Sequence, residues 1–264
     1  MDNRRAYSTW VEIDLSAIEN NVKLIRQHTG VQVMAVVKAD GYGHGAVEVA
    51  KAALNAGAGW LAVARLEEAL ELRKADLKTP ILLLGYTPPG RLAEAIENQL
   101  SLAIWTAEQV EEVRDTARRL GITARLHLKV DTGMHRIGAQ LEHAPELARR
   151  ITTAKDLQLE GLFTHFARAD EENLSHTQEQ IAQFQNLLAR LESAGLRPPL
   201  VHAANSAAGL RIPAARFDMV RLGIAMYGLH PSTDSPLPGA FRPALSWKAV
   251  LSHIKTLSAG QGIS

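Results

Sequence analysis

Short apolar runs rich in β-branched residues recur about every 25 residues along this chain, and segments of helical period separate them. That alternation is the strongest constraint on the fold, because parallel strands need crossover connections long enough to hold a helix. Eight strands are expected, at residues 31–39, 60–64, 80–85, 100–105, 124–130, 157–166, 200–206 and 219–228. Helical stretches lie between them, among them 44–55 (apolar at Val47, Ala50, Ala53 and Leu54), 107–120 and 175–194. Eight such units match an α/β fold of the (β/α)8 TIM-barrel type, which takes roughly 250 residues. A further helix at 15–27 is placed to close the helical ring. The competing doubly wound sheet needs a GxGxxG turn after its first strand, and the sequence has none there.

After Gly228 the pattern changes. The stretch HPSTDSPLPGAFRP reads as a linker, and residues 244–257 alternate at Leu245, Trp247, Ala249 and Leu251 like strands of another unit. The expected division is a barrel over 11–239, with 1–10 and 240–264 belonging to a C-terminal β-domain that the remaining residues do not complete. Lys plus Arg (29) and Asp plus Glu (28) nearly cancel and are scattered, so no nucleic-acid surface is expected. With no cysteines, disulfides, thiolate metal sites and a cysteine nucleophile are excluded. The start, MDNRRAYSTWVEIDLS, has no apolar run behind its basic residues, and no stretch reaches the ~20 apolar residues of a membrane span. A cytoplasmic protein acting on small polar metabolites is the expectation.

In VMAVVKADGYGHG, Lys38 ends an apolar strand and precedes a glycine-rich turn. Desolvation at a dry strand end disfavours an ammonium ion and leaves an amine for Schiff-base formation; the bland alternative is a solvated terminal lysine. Gly41, Gly43 and Gly45 allow close backbone approach to a ligand, with the Tyr42 hydroxyl beside it. The combination KADGYGHG resembles the lysine motif of the alanine racemases. That resemblance implies a barrel carrying pyridoxal 5'-phosphate on Lys38, with Lys38 as one of two catalytic bases and Tyr42 as a phosphate ligand.

The resemblance extends through essentially the whole chain. HLKVDTGMHRIG resembles the family segment in which an arginine, here Arg136, meets the cofactor's phenolic oxygen, and a lysine, here Lys129, is in many members carbamylated. GLFTHFARAD places His165 where the family's histidine lies against the pyridine ring; taken alone it is equally a core residue or a metal ligand, although no metal-ligand spacing surrounds it. HAANSAA and RLGIAMYG imply phosphate binding by Ser206, Gly223 and Ile224, with Asn205 and His202 in support. As bare motifs these fit a helix N-cap and the phosphate sites that follow barrel strands seven and eight. Arg221 matches the arginine that pairs with the pyridine nitrogen; the alternative is a buried arginine paired with Asp218 or another acid.

By resemblance, the activity is interconversion of L- and D-alanine for cell-wall D-alanine, in a homodimer. The opposite base would be a tyrosine of the partner's C-terminal domain, shortly after a stretch resembling residues 256–264, and Tyr7, Tyr42, Tyr86 and Tyr227 do not occupy that motif. The chain is therefore expected to be the cofactor-bearing part, of low activity alone, with a separate chain as one way for the C-terminal domain to be supplied. The alternatives are a non-catalytic pyridoxal-phosphate-binding barrel and a serine or broad-specificity racemase. A decarboxylase of the same fold is disfavoured by Arg221, since a carboxylate there would make the cofactor a better electron sink.

Overall fold

Both faces of the central strands are buried, as in Trp60–Val63, Ile81–Leu83 and Ser101–Ile104, where every residue is inaccessible. Such runs suit a parallel sheet with helices outside and its own interior within. The computed structural model describes residues 7–263. Its strands are β1 (Thr9–Ile13), β2 (Gln32–Val36), β3 (Trp60–Val63), β4 (Ile81–Leu83), β5 (Ser101–Ile104), β6 (Ala124–Lys129), β7 (Leu157–Phe163), β8 (Leu200–His202), β9 (Met219–Leu222) and β10 (Leu245–Ala249). Strands β2 to β8 pair in chain order, all parallel, and β9 pairs with β2. The β8–β9 seam has no full ladder and closes through Asp218 N–H to Val201 O (3.0 Å) and Arg221 N–H to Ala204 O (3.0 Å). The result is the expected (β/α)8 barrel.

Alternation along the strands sorts residues between two cores. Leu61, Val63, Ile81 and Leu83 face the helices, whereas Met34, Val36, Trp60, Ala62, Leu82 and Met219 form a cluster inside the ring. The rest of the interior, on β5 to β9, carries the buried polar side chains Ser101, His127, Lys129, Glu160, His202 and Arg221. One half of the barrel is thus a dry plug and the other a polar network.

The elements differ from the sequence expectation mainly at their C-terminal ends. The strand expected over 219–228 stops at Leu222, and a 3₁₀ turn, Ile224–Tyr227, follows. The strand expected over 200–206 stops at His202, and Ser206 opens a short helix, Ser206–Arg211. In both, strand-like apolar residues are buried by a turn at the barrel mouth. Beyond β10, residues 250–257 form no strand. β10 pairs antiparallel with β1, which the sequence reading did not include.

The stretch 230–243 is irregular, as expected of a linker, yet it is strapped to the barrel. Asn21, fully buried on helix Leu15–Thr29, donates to Met226 O (3.0 Å) and Arg242 O (2.8 Å) and accepts from Arg242 N–H (3.0 Å). Ser232 Oγ bonds Asp170 O, and Glu172 N–H reaches Asp234. Removing a side chain that satisfies three backbone groups, the Met226 carbonyl buried and the two of Arg242 partly buried, leaves them unpaired. Asn21→Ala is expected to lower the unfolding free energy by about 3 kcal/mol in urea titrations, and a loss below about 0.5 kcal/mol would contradict this account of the strap.

Candidate functional site

At the C-terminal ends of the strands a cavity of about 500 Å³ opens, within the range of small-molecule sites. Lys38, Tyr42, Lys129, Arg136, His165, Asn205, Ser206, Arg221, Gly223 and Ile224 all line it. His202 does not; it lies fully buried beneath the floor, and the glycines of the turn, Gly41, Gly43 and Gly45, do not line the cavity either. The lining includes four basic side chains, Lys38, Lys129, Arg136 and Arg221, against one acid, Asp170. A concave site with that balance attracts anions.

Lys38 sits just past β2, half-buried rather than fully dry, with its Nζ 5.8 Å from the Tyr42 ring centre. What aims it is the backbone that follows. Ala39, Asp40, Gly41 and Tyr42 have φ of 51, 51, 59 and 55° with ψ between 36 and 54°, one turn of left-handed helix. Each non-glycine residue there costs about 1–2 kcal/mol. Several bonds hold the turn: Ala39 N–H donates to Glu68 (2.6 Å), Ala46 N–H to Asp40 Oδ1 (2.8 Å), and Gly41 N–H to Val37 O (2.9 Å). Glu68 also accepts from Ala64 and Arg65 N–H, so one carboxylate ties this turn to the next βα loop. Strain held by so many contacts is a hallmark of functional loops.

The turn carries Tyr42 sideways to the end of the neighbouring strand β9. A β-carbon at Gly223 would lie 3.0 Å from the Tyr42 hydroxyl, so glycine is what lets the hydroxyl approach. Ser206 Oγ accepts from Gly223 N–H (3.1 Å) and Ala225 N–H (3.3 Å), which leaves its own proton free to donate. The helix cap itself is Asn205, whose Oδ1 accepts from Ala208 N–H (3.0 Å). Gly223 N–H is therefore engaged by Ser206. Tyr42, Ser206, Gly223 and Ile224 enclose a small space suited to a phosphate group.

Arg221 is 4% exposed and donates to five acceptors: the carbonyls of Thr164 (2.8 Å), Ala203 (2.9 Å) and His202 (3.2 Å), His202 Nδ1 (2.9 Å) and His165 Nδ1 (3.1 Å). Asp218 is not among them; it bonds Arg197 (3.1 Å) and Val201 N–H (2.8 Å), which removes the ion-pair alternative. Burial pulls the Arg221 guanidinium down to about 9, so it stays charged at neutral pH. His165 is held well below its ordinary value by burial and then by Arg221, so it is neutral. Because its Nδ1 accepts from Arg221, its proton resides on Nε2.

Lys129, 5% exposed, rests over the Phe163 ring at 5.4 Å, and burial followed by the charges of Arg221 and Arg136 lowers it to about 8. Arg136 is exposed, in the loop after β6 that Asp131 organises by accepting from Gly133, Met134 and His135 N–H. Sequence reasoning missed Glu68, His127 and Glu160. Of these, His127 left a legible signal, since Arg125, His127 and Lys129 alternate with Leu126 and Leu128 along β6.

A parallel barrel whose mouth presents a lysine, a phosphate-sized cradle and a buried arginine defines a class of lysine-bearing, anion-binding barrels. Comparisons narrow it. The alanine racemase N-terminal domain family matches residues 13–231. An alanine racemase of Symbiobacterium thermophilum is 44% identical over 257 residues, spanning 97% of this chain and 68% of the relative, and one of Desulforamulus reducens is 45% identical, spanning 97% and 70%. The crystal structure of alanine racemase from Streptomyces lavendulae superposes with a TM-score of 0.92 at 41% identity, covering 97% of this chain and 69% of that one. The chain belongs to the alanine racemase family and spans about two thirds of the length of these relatives.

The Lys129 environment gives a pH prediction. The unfolded chain keeps this proton up to about pH 10.5 and the folded chain only to about pH 8, so the unfolded state binds more protons between them and stability rises with pH over that window. In bicarbonate-free buffer, wild type is expected to gain on the order of 2 kcal/mol across the window relative to Lys129→Met. Parallel pH profiles in denaturant titrations would contradict the assignment.

Proposed function

We propose that this barrel binds pyridoxal 5'-phosphate through Lys38 and interconverts L- and D-alanine, as an isomerase supplying D-alanine for cell walls. The observation that carries the reading is the convergence of Lys38, a phosphate-sized cradle and a charged, buried Arg221 in one cavity with four cations and a single acid. These residues fit the cofactor: Tyr42, Ser206, Gly223 and Ile224 for its phosphate, Arg136 for its phenolic oxygen, His165 beside its ring, Arg221 for its pyridine nitrogen, and Asn205 and His202 in support. When bound, pyridoxal phosphate supplies an electron sink for the α-carbon of an amino acid.

The chain's own groups determine how that sink is used. Lys38 Nζ anchors the cofactor and afterwards removes or returns the α-proton on its side. Arg221 holds a positive charge on the cavity floor and would oppose protonation of a pyridine nitrogen bound against it. The sink is thereby weakened, which favours prompt return of the proton over transamination. Inversion needs a second base on the opposite side. Tyr42 is the one tyrosine lining the cavity among the described residues, and it is assigned to the phosphate. The second base is assigned to a group outside this barrel, a tyrosine of a C-terminal domain in a homodimer.

In this reading residues 11–239 are the barrel, and 1–10 and 240–264 belong to that C-terminal β-domain; residues 1–6 and 264 lie outside the described ones. The antiparallel pairing of β1 with β10 supports joining the N-terminal segment to the C-terminal one, although β1 carries that pairing on to Ile13, past the boundary at residue 10. Among the described residues no helix is long and apolar enough to cross a membrane; a cytoplasmic location is proposed by resemblance. Lys129, with a proton-free amine accessible near neutrality and Arg136 close by, is suited to carbamylation, which would turn a repelling cation into an anion able to hold that arginine.

Two experiments test this reading. Borohydride reduction of the chain with pyridoxal phosphate should fix the cofactor on the peptide containing Lys38, and Lys38→Ala should lose the adduct; an undiminished adduct would sink the assignment. Carbon-13 bicarbonate should yield a carbamate NMR signal that Lys129→Ala removes, and persistence of that signal in the variant would rule Lys129 out as its source.

A further inference from the structure

Beneath the cavity floor a line of buried polar groups crosses the barrel interior from β9 to β5. Arg221 Nη1 lies 2.9 Å from His202 Nδ1, His202 Nε2 lies 3.0 Å from His127 Nδ1, and His127 Nε2 lies 3.2 Å from Glu160 Oε2. The same carboxylate oxygen accepts from Ser101 Oγ. Ser101, His127 and His202 are fully buried, and Glu160 is 9% exposed.

Donor and acceptor rules allow one arrangement. Arginine only donates, so His202 Nδ1 must present a lone pair and the ring's proton must sit on Nε2. That proton points at His127 Nδ1, which must also be bare, so the His127 proton sits on Nε2 and points at the carboxylate. Reversing either tautomer, or adding a second proton to either ring, sets two donors or two lone pairs against each other in a site without access to water. The remaining acceptors of Arg221 are uncharged: three carbonyls and His165. Glu160 is the one acid joined to it through hydrogen bonds among the described residues.

The fold is shaped to make this line. Leu126 pairs with Leu159 but His127 pairs with Gly161, so Glu160 is the extra residue of a β-bulge, a feature that re-aims a side chain. Gly161 has no β-carbon, and one placed there would overlap the His127 ring. Trp60 meets the His127 ring edge-on at 5.4 Å, and Phe163 stacks on His202 at 4.9 Å.

We propose that Glu160 is a positioning residue for Arg221, acting through the fixed tautomers of His127 and His202 from the far side of the barrel interior. Glu160 orders the two rings so that a lone pair always faces the guanidinium. The line exists without a cofactor; its bearing on the pyridine nitrogen rests on the proposed function.

The test is nitrogen-15 NMR of the full chain, labelled at histidine and free of cofactor, at neutral pH, with the two rings assigned by His127→Asn and His202→Asn. In wild type both rings should be neutral with the proton on Nε2. Glu160→Gln should keep that pattern, since one amide oxygen can accept from both Ser101 and His127. Glu160→Leu should lose it at both rings. A protonated Nδ1 on either wild-type ring, or an unchanged pattern in Glu160→Leu, would overturn the proposal. If Glu160→Leu does not fold, Glu160→Met is read in its place, and a protonated Nδ1 in the wild-type spectrum overturns the proposal on its own. In the chain loaded with nitrogen-15 pyridoxal phosphate, Glu160→Leu should also shift the pyridine signal toward its protonated position, and no shift would overturn the link to the cofactor while leaving the proposed function standing.

Discussion

A buried guanidinium governs this molecule. Arg221 lies on β9 at the one seam of the barrel that lacks a full ladder, and its side chain bonds carbonyls on β8 and in the segments following β7 and β8. Burying a charge is unfavourable unless hydrogen bonds replace its water, and bonds to a charged group contribute about 1.5–3 kcal/mol each. Five acceptors serve that purpose here, none of them a carboxylate in direct contact. The cavity floor therefore carries a positive charge that no adjacent anion cancels, and the seam is closed by the group that defines the site.

Other features follow from that charge. His165 is neutral and has its proton on Nε2, because burial and Arg221 shift it and Arg221 occupies its Nδ1. Lys129 is held partly deprotonated by burial and by the same arginine. The left-handed turn after Lys38 leaves the neighbouring strand β2 and adds the Lys38 amine to the same cavity lining, with Glu68 and Asp40 offsetting its strain. One end of the barrel is thus prepared for a ligand that is anionic at one end and reactive toward an amine at the other.

The fold was largely legible, because eight apolar runs separated by helical segments leave few alternatives. The errors fell where the pattern changes function. The runs after β8 and β9 look like strand but are mouth turns, since their small apolar residues are buried by the cradle rather than by a ladder. The cavity residues were legible through motifs, and all but His202 and the turn glycines Gly41, Gly43 and Gly45 line one space. Glu68 was not, because a glutamate in the first turn of a helix resembles ordinary capping, and only the tertiary fold shows it reaching Ala39. Nor was Glu160, whose inward aim depends on a bulge that the alternation of β7 does not announce. Asn21 carries no signal of its own in the sequence, because its partners, Met226 and Arg242, lie more than 200 residues away.

The central claim is that this barrel supplies the cofactor anchor and one of two bases. The most direct measurement is exchange of the α-proton into deuterated water, followed by proton NMR for L-alanine and D-alanine separately, with the purified chain and pyridoxal phosphate. The account predicts exchange from one enantiomer and its loss in Lys38→Ala. Exchange from both enantiomers by the barrel alone, or exchange that survives Lys38→Ala, would contradict it.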